Sequence, residues 1–316
     1  MKRLAIIDDY QDVALAMADW SPLADDVSIS VFNDHLDDES ALAERLRDFE
    51  IICVMRERTP FPETLLNRLP RLEHLFTPGM GNASIDVAAA RRQGVVVSGS
   101  PTLGHPTAEL TWGLILALAR KINLEERKTR LGQWQTTIGL GLEGKTLGIV
   151  GLGRLGKRVA EVGHAFGMEV IAWSPNLTPE RCEGTRARFT GKDELLHMSD
   201  VVTIHLRLGA GTRSLIARPE LELMKNTAWL VNTSRGPIVD EVALVEALKT
   251  GAIGGAGLDV FDVEPLPMDH PLRKVPNTVL TPHLGFVTVE NYRVFFQAAV
   301  ENIRAWLDGR PMNTLV

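Results

Sequence analysis

Cysteine is nearly absent. The 316 residues hold two, Cys53 and Cys182, with no metal-ligand spacing, so neither a disulfide framework nor a metal site is expected. Both read as free thiols in a reducing cytoplasm, with Cys53 inside an apolar run that reads as core. Dense basic blocks are also missing. The chain has 34 Lys and Arg against 40 Asp and Glu, a net charge of −6. Without a footprint for a phosphate backbone, no nucleic-acid partner is expected. Long apolar runs are missing too. The longest, 110–119, is far short of the roughly 20 residues that a membrane helix needs, so it reads as a buried helix and no membrane partner is expected. The start, Met1-Lys2-Arg3-Leu4-Ala5-Ile6-Ile7-Asp8, meets acid too soon for the apolar core of a signal peptide. There is no low-complexity segment and no short-period repeat. What remains is 45% apolar and 23% charged, an ordinary soluble composition, and long enough for two domains with their own cores.

Strand and helix patterns alternate through the first hundred residues. Strands are expected at 4–7, 51–55, 75–77 and 95–97, with helices at 39–48 and 85–93. One long helical pattern covers 107–130, starting after Pro106 with Glu109 in its first turn. Alternation resumes with strands at 146–150, 169–173, 201–204, 228–231, 257–260 and 278–280. Helices fall near 194–198, 219–224 and 241–249, and an amphipathic helix covers 288–307. The fold class is α/β: two Rossmann-like, doubly wound parallel-sheet domains with the active-site cleft between them. The boundary is expected near 102, with 1–102 plus 286–316 as a flavodoxin-like substrate domain and 103–285 as a nucleotide-binding domain.

Residues 147–156 read Leu-Gly-Ile-Val-Gly-Leu-Gly-Arg-Leu-Gly. This is a GxGxxG between a strand and a helix, the fingerprint of a dinucleotide site. Gly151 permits the tight turn, Gly153 lets a pyrophosphate approach, and Gly156 lets the helix pack on the strand. The helix N-terminus presents free N–H groups to the phosphates.

Three downstream segments follow predicted strands. Asn232-Thr233-Ser234-Arg235-Gly236 places an arginine where a parallel sheet faces its ligand, and guanidinium suits bidentate capture of a carboxylate. Asp259, Asp262 and Glu264 follow the next strand. Thr281-Pro282-His283-Leu284-Gly285 follows another. Singly, these read equally well as a surface arginine, solvated loop acids and a structural histidine. Together, Arg235, Glu264 and His283 stand at strand ends of one sheet. A histidine paired with a carboxylate exchanges protons near neutral pH, and an arginine beside it holds a carboxylate and polarises the adjacent carbonyl. With a nicotinamide cofactor, that equipment interconverts 2-hydroxy and 2-oxo acids.

On Gly79-Met80-Gly81, the segment from Leu142 to Gly153, Val231 to Gly236, Asp259-Val260-Phe261 with Glu264-Pro265, and Pro282-His283, the chain resembles the D-isomer-specific 2-hydroxyacid dehydrogenases. That family includes phosphoglycerate dehydrogenase, glyoxylate/hydroxypyruvate reductases, formate dehydrogenase and phosphite dehydrogenase. The resemblance implies that Arg235 binds the substrate carboxylate and keto oxygen. It makes His283 the general acid/base, oriented by Glu264. Backbone N–H groups of Met80 and Gly81 would also hold the carboxylate. Arg154 and Leu155 would contact the pyrophosphate, Asp259 and the Thr233 carbonyl the carboxamide of the nicotinamide, and His205 and Thr212 the adenosine and phosphate parts. It also implies a homodimer with the long helix after residue 105 at the interface.

The chain departs from the common pattern where cofactor and substrate are chosen. NAD-dependent relatives carry an acid about 18 residues past the third glycine, on the ribose 2′-hydroxyl. Ser174 stands there, and Arg207 replaces a common proline. No arginine follows at 175 or 176, though Arg181 and Arg207 are near in sequence. NAD(H) and NADP(H) are both left open. Arg56 follows a strand and is expected either to meet a second anionic group on the substrate or to be a solvated basic turn. The same fold acting on phosphite, or serving as a non-enzymatic NAD(H)-sensing corepressor-like protein, are the alternatives.

Overall fold

The computed structural model describes residues 1–315. The chain divides into two compact units, Met1–Leu103 with Thr288–Val316, and Gly104–Val287.

The first unit begins with β1 (Lys2–Ile6), β2 (Val27–Val31), α1 (Glu39–Leu46), β3 (Ile51–Cys53), α2 (Glu63–Leu66), β4 (His74–Phe76), α3 (Val87–Arg92) and β5 (Val96–Ser98). Its sheet is ordered β2-β1-β3-β4-β5, and every pair is parallel. That is the flavodoxin-like order, with its switch point between β1 and β3. Local chemistry sets the helix starts. The Asp38 carboxylate accepts from Ala41 N at 2.8 Å and the Asp86 carboxylate from Ala89 N at 2.8 Å, each cap contributing about 1 kcal/mol.

The second unit runs through α4 (His105–Arg120), α5 (Ile122–Arg130), β6 (Thr146–Val150), α6 (Arg154–Ala165), β7 (Glu169–Trp173), α7 (Pro179–Cys182), β8 (Arg188–Phe189) and α8 (Lys192–Met198). It continues with β9 (Val201–Ile204), α9 (Arg218–Leu223), β10 (Trp229–Asn232), α10 (Glu241–Thr250), β11 (Gly255–Leu258) and β12 (Thr278–Leu280). Its parallel sheet is ordered β12-β11-β10-β9-β6-β7-β8. Chain order reverses between β6 and β9, which places the ligand crevice of such a sheet at the carboxyl ends of those strands. Every residue of β6, β9, β10 and β11 is buried, as a parallel sheet covered on both faces requires.

The chain's last helix, α11 (Val289–Leu307), belongs to the first unit. Thr288 caps it, and Trp306 stacks on His74 of β4 with ring centroids 5.1 Å apart. Past α11, Leu315 N donates to Val97 O at 2.8 Å, so the chain end adds to the β5 edge.

Three readings of the sequence need correction. The helical pattern at 107–130 is two helices, because Lys121 takes a left-handed φ of 56° between them. The reason is burial: α4 is apolar and packed, whereas α5 has no buried residue and turns away from the core. The strand β2 was not anticipated, although Val27-Ser28-Ile29-Ser30-Val31 alternates with period two. The two-residue edge strand β8 was also not anticipated and is too short to leave a pattern.

Candidate active site

The glycine turn is built as a cradle. Gly151 has a φ of +109°, and a Cβ there would lie 2.8 Å from the carbonyl of His205, just past the strand across the switch point. Only glycine tolerates both the conformation and the contact. A Cβ on Gly156 would lie 2.2 Å from Gly151 O, so α6 seats directly on the turn. Gly153 is exposed, and a Cβ there would meet no atom within 4 Å. This is the side left open for a phosphate. Gly153 is also the N-cap of α6, with no side chain capping its first turn and no acid within it. An uncapped helix start with an open glycine face fits a pyrophosphate. Arg154 is exposed beside it, its guanidinium lying against Gly104, and Leu155 is half-buried.

Ser174 lies just past β7, half-exposed, where Trp173 O accepts from Gly151 N at 2.8 Å. His205 follows β9. Its Nε2 pairs with Thr203 Oγ1 at 3.0 Å, its Nδ1 is buried without a hydrogen-bond partner, and burial pushes its pKa down to about 4. The ring is therefore neutral at pH 7. Thr212 closes its own loop: its hydroxyl donates to Arg207 O at 2.7 Å and accepts from Gly209 N at 2.9 Å.

At the end of β10 the Asn232 side chain shapes the turn that carries Arg235. Its Oδ1 accepts from Ser234 N and its Nδ2 donates to Arg235 O, both at 3.0 Å. Arg235 is half-buried, and its Nη1 donates to Ser234 O at 2.7 Å. A Cβ on Gly236 would lie 2.1 Å from the backbone of Phe261, which forces glycine there. This contact seats the arginine turn on the loop after β11.

That loop holds Glu264. Its Oε1 accepts from Phe261 N at 2.9 Å, and its Oε2 lies 2.6 Å from Nδ1 of His283. The pair is partly exposed, at 28% and 18%. His283 takes a left-handed φ of 52°, its N–H donates to Asp259 O at 2.8 Å, and Phe286 meets its ring edge-on at 5.4 Å. With Nδ1 on the carboxylate, Nε2 is the atom left for proton exchange.

Asp259 sits beneath the histidine turn. It is fully buried, its Oδ1 accepts from Thr281 Oγ1 at 2.6 Å and Leu284 N at 2.7 Å, and its Oδ2 accepts from Gly285 N at 2.8 Å. Burial pushes its carboxyl up from the ordinary range. Its partners are the histidine turn itself, which a buried carboxylate stabilises by collecting the N–H groups of a tight loop.

Sequence reasoning missed a second set of supports. Thr111 of α4 is buried, donates to Thr107 O at 2.8 Å and meets Thr233 Oγ1 at 2.8 Å, while Thr107 Oγ1 donates to Gly285 O at 2.9 Å. One helix thus fastens both the arginine strand end and the histidine turn. Two hydroxyls at i and i+4 in an apolar helix were the available signal.

Within the second unit, then, the structure brings together Arg235, Glu264, His283, Thr233 and Asp259 at neighbouring strand ends. The predicted substrate-binding residues Met80, Gly81 and Arg56 lie in the first unit. Met80 is 58% exposed on the loop after β4, and Gly81 has open space around it. Arg56 follows β3 with a left-handed φ of 55°, and its Nη1 reaches Pro78 O of the same loop at 3.3 Å. No group of His, Cys, Asp and Glu that could hold a metal occurs among the described residues.

Residues 112–285 match the family of the D-isomer specific 2-hydroxyacid dehydrogenase, NAD binding domain. A glyoxylate reductase of Aeropyrum pernix is 44% identical over 262 residues, covering 80% of this chain and 78% of the relative. A D-3-phosphoglycerate dehydrogenase of Methanocaldococcus jannaschii is 37% identical over 279 residues, covering 87% of this chain and 53% of the relative. The solved structure of a phosphoglycerate oxidoreductase from Vibrio cholerae o395 matches with a TM-score of 0.93 at 36% identity, covering 98% of this chain and 100% of that one.

Proposed function

The chain belongs to the D-isomer-specific 2-hydroxyacid dehydrogenase family, and we propose that it reduces a small 2-oxo acid to the D-2-hydroxy acid, or runs the reverse, with a nicotinamide cofactor. One observation carries the assignment of roles: Glu264 and His283 paired at 2.6 Å in the same unit as the glycine cradle. Gly151, Gly153, Gly156, Arg154 and Leu155 would hold the pyrophosphate, with Ser174, His205 and Thr212 on the adenosine side and the Thr233 carbonyl toward the carboxamide. When bound, the dihydronicotinamide supplies a hydride to the carbonyl carbon.

The chain's own groups do the rest. Arg235 holds the carboxylate and draws charge toward the keto oxygen. His283 gives the proton on Nε2 to that oxygen as the carbonyl is reduced, and takes it back in the oxidative direction. Glu264 holds the ring through Nδ1 and stabilises the charged imidazolium. Met80, Gly81 and Arg56 are the proposed first-unit contributions to substrate binding. Glyoxylate and a phosphorylated 2-oxo acid are the substrates that the named relatives make first choices, and the family resemblance adds hydroxypyruvate. Replacing Arg235 with Ala tests the assignment: KM for the oxo acid rises steeply while cofactor affinity holds.

The reading includes a homodimer. After α5, Leu131, Trp134 and Ile138 are 78%, 78% and 94% exposed. The segment is nonetheless ordered, with Glu125 accepting from Thr136 N, Thr136 Oγ1 and Thr137 Oγ1. Apolar side chains held out rigidly on a charged molecule favour burial against a second copy. The reading places the enzyme in the cytoplasm, where the unpaired Cys53 and Cys182, both buried, remain reduced. No helix among the described residues is long and apolar enough to cross a membrane.

A further inference from the structure

We propose that Glu241 is a positioning residue for the reaction: its carboxylate staples together the two ends of the loop that presents Glu264 to His283. This rests on the oxidoreductase reading above. The loop runs from Asp262 to His270, after β11, and none of its residues is buried. Val263 and Met268 are 60% and 84% exposed, and Leu266 packs on the core at one point. Apolar packing therefore does not fix its shape, and an irregular exposed segment stays mobile unless polar contacts hold it.

Those contacts converge on Glu241. Its Oε1 lies 2.9 Å from Nε2 of His270, and its Oε2 accepts from Asp262 N at 3.3 Å. Glu241 is the first residue of α10, a firm platform: Asp240 caps the helix by accepting from Ala243 N at 3.0 Å, and Ala243, Leu244, Val245, Ala247 and Leu248 are buried. At the far end of the loop, His270 Nδ1 accepts from Leu272 N at 3.3 Å, so Nε2 carries the hydrogen and donates to Glu241. Between the ends, Arg273 donates to Pro267 O at 2.8 Å and to Leu266 O at 2.7 Å. The Asp262 end bears directly on the chemistry. Its neighbour Phe261 supplies the N–H that holds Glu264 Oε1. Movement of that end displaces the carboxylate from Nδ1 of His283. In sequence, an acid in the first turn of a helix reads as a partner of the helix dipole, and His270 stands far from it.

Steady-state kinetics test this, with fluorescence titration of the reduced cofactor and melting temperature alongside. Glu241→Gln can satisfy only one of the two donors and is expected to lower kcat about three- to tenfold. KM for the oxo acid and cofactor affinity should stay within about twofold. His270→Asn keeps an acceptor for Leu272 N but falls short of Glu241, and should lower kcat by a similar factor. In a Glu264→Gln background, Glu241→Gln should cost less than about a further twofold, because both act on His283 through one carboxylate. Unchanged kcat in either single variant overturns the proposal, even if the melting temperature falls. So does a full multiplicative loss in the Glu264→Gln background, or a matching loss of cofactor affinity. Wild-type protein that reduces a 2-oxo acid while these variants match it leaves the oxidoreductase reading standing without the staple. Wild-type protein that reduces none overturns both.

Discussion

Glu264 Oε2 sits 2.6 Å from Nδ1 of His283, and the other oxygen of the same carboxylate is held by Phe261 N. The carboxylate cannot swing away without losing a backbone partner, so the imidazole is held by a fixed group. Glu264→Gln keeps the shape and removes the charge. It is expected to lower kcat roughly ten- to a hundredfold, with KM for the oxo acid little changed. Steady-state kinetics on folded protein check this.

Asp259 is expected to act on His283 through the turn rather than on the cofactor. Its carboxylate binds Thr281, Leu284 and Gly285 and is fully buried. Asp259→Asn replaces an acceptor with a donor facing other donors, at a cost of about 1–3 kcal/mol. Melting temperature and kcat should fall together, while NADH affinity, measured by titration, stays within a few-fold.

Thr111 gives a parallel test from the other side of the site. Thr111→Val removes both of its hydrogen bonds without changing volume much. A fall in kcat of several-fold is expected, with recovery in Thr111→Ser, since only the hydroxyl matters to the positions of Thr233 and the histidine turn.

Acid stability has a specific source in the first unit. His74 is buried under Trp306, with Nε2 on Ser98 Oγ at 2.7 Å and Nδ1 buried without a hydrogen-bond partner; burial pushes its pKa down to about 3. The unfolded chain, with His74 near its ordinary 6.5, binds more protons than the folded chain between about 3 and about 6.5. Stability contributed by neutral His74 is therefore whole above that window and is lost as pH falls through it. His74→Gln should flatten the pH dependence of the melting temperature between about pH 4 and pH 6. An unchanged slope would assign the acid loss elsewhere.

The exposed apolar segment predicts the assembly. Trp134→Asp with Ile138→Asp should shift the protein to a smaller species in sedimentation or light scattering, without loss of helix content.

Much of this architecture was legible because parallel α/β chains announce themselves. Apolar runs such as Thr146–Val150 are buried on both faces, and their turns need glycines at positions that a regular spacing exposes. Arg235, Glu264 and His283 could be picked out because each follows such a run. What could not be read were relations between distant residues of modest chemistry. The Thr107 and Thr111 hydroxyls look like ordinary helix surface until Gly285 and Thr233 arrive from elsewhere in the chain. Nor does sequence tell that Asp259 faces inward, since an acid after a strand reads equally well as a ligand or a scaffold. The break at Lys121 is hidden for a similar reason: tertiary burial ends α4 there, and helix propensity continues past it.

The central claim is that His283 moves the proton in nicotinamide-dependent reduction of a 2-oxo acid. The most direct measurement follows the loss of reduced-cofactor absorbance with a panel of 2-oxo acids including glyoxylate and hydroxypyruvate, with NADH and with NADPH, for wild type and His283→Ala. The account predicts turnover of at least one oxo acid by wild type. It predicts a fall in kcat of about a hundredfold or more in the variant, with the reduced cofactor still bound at wild-type affinity. Near-wild-type turnover by His283→Ala would contradict it.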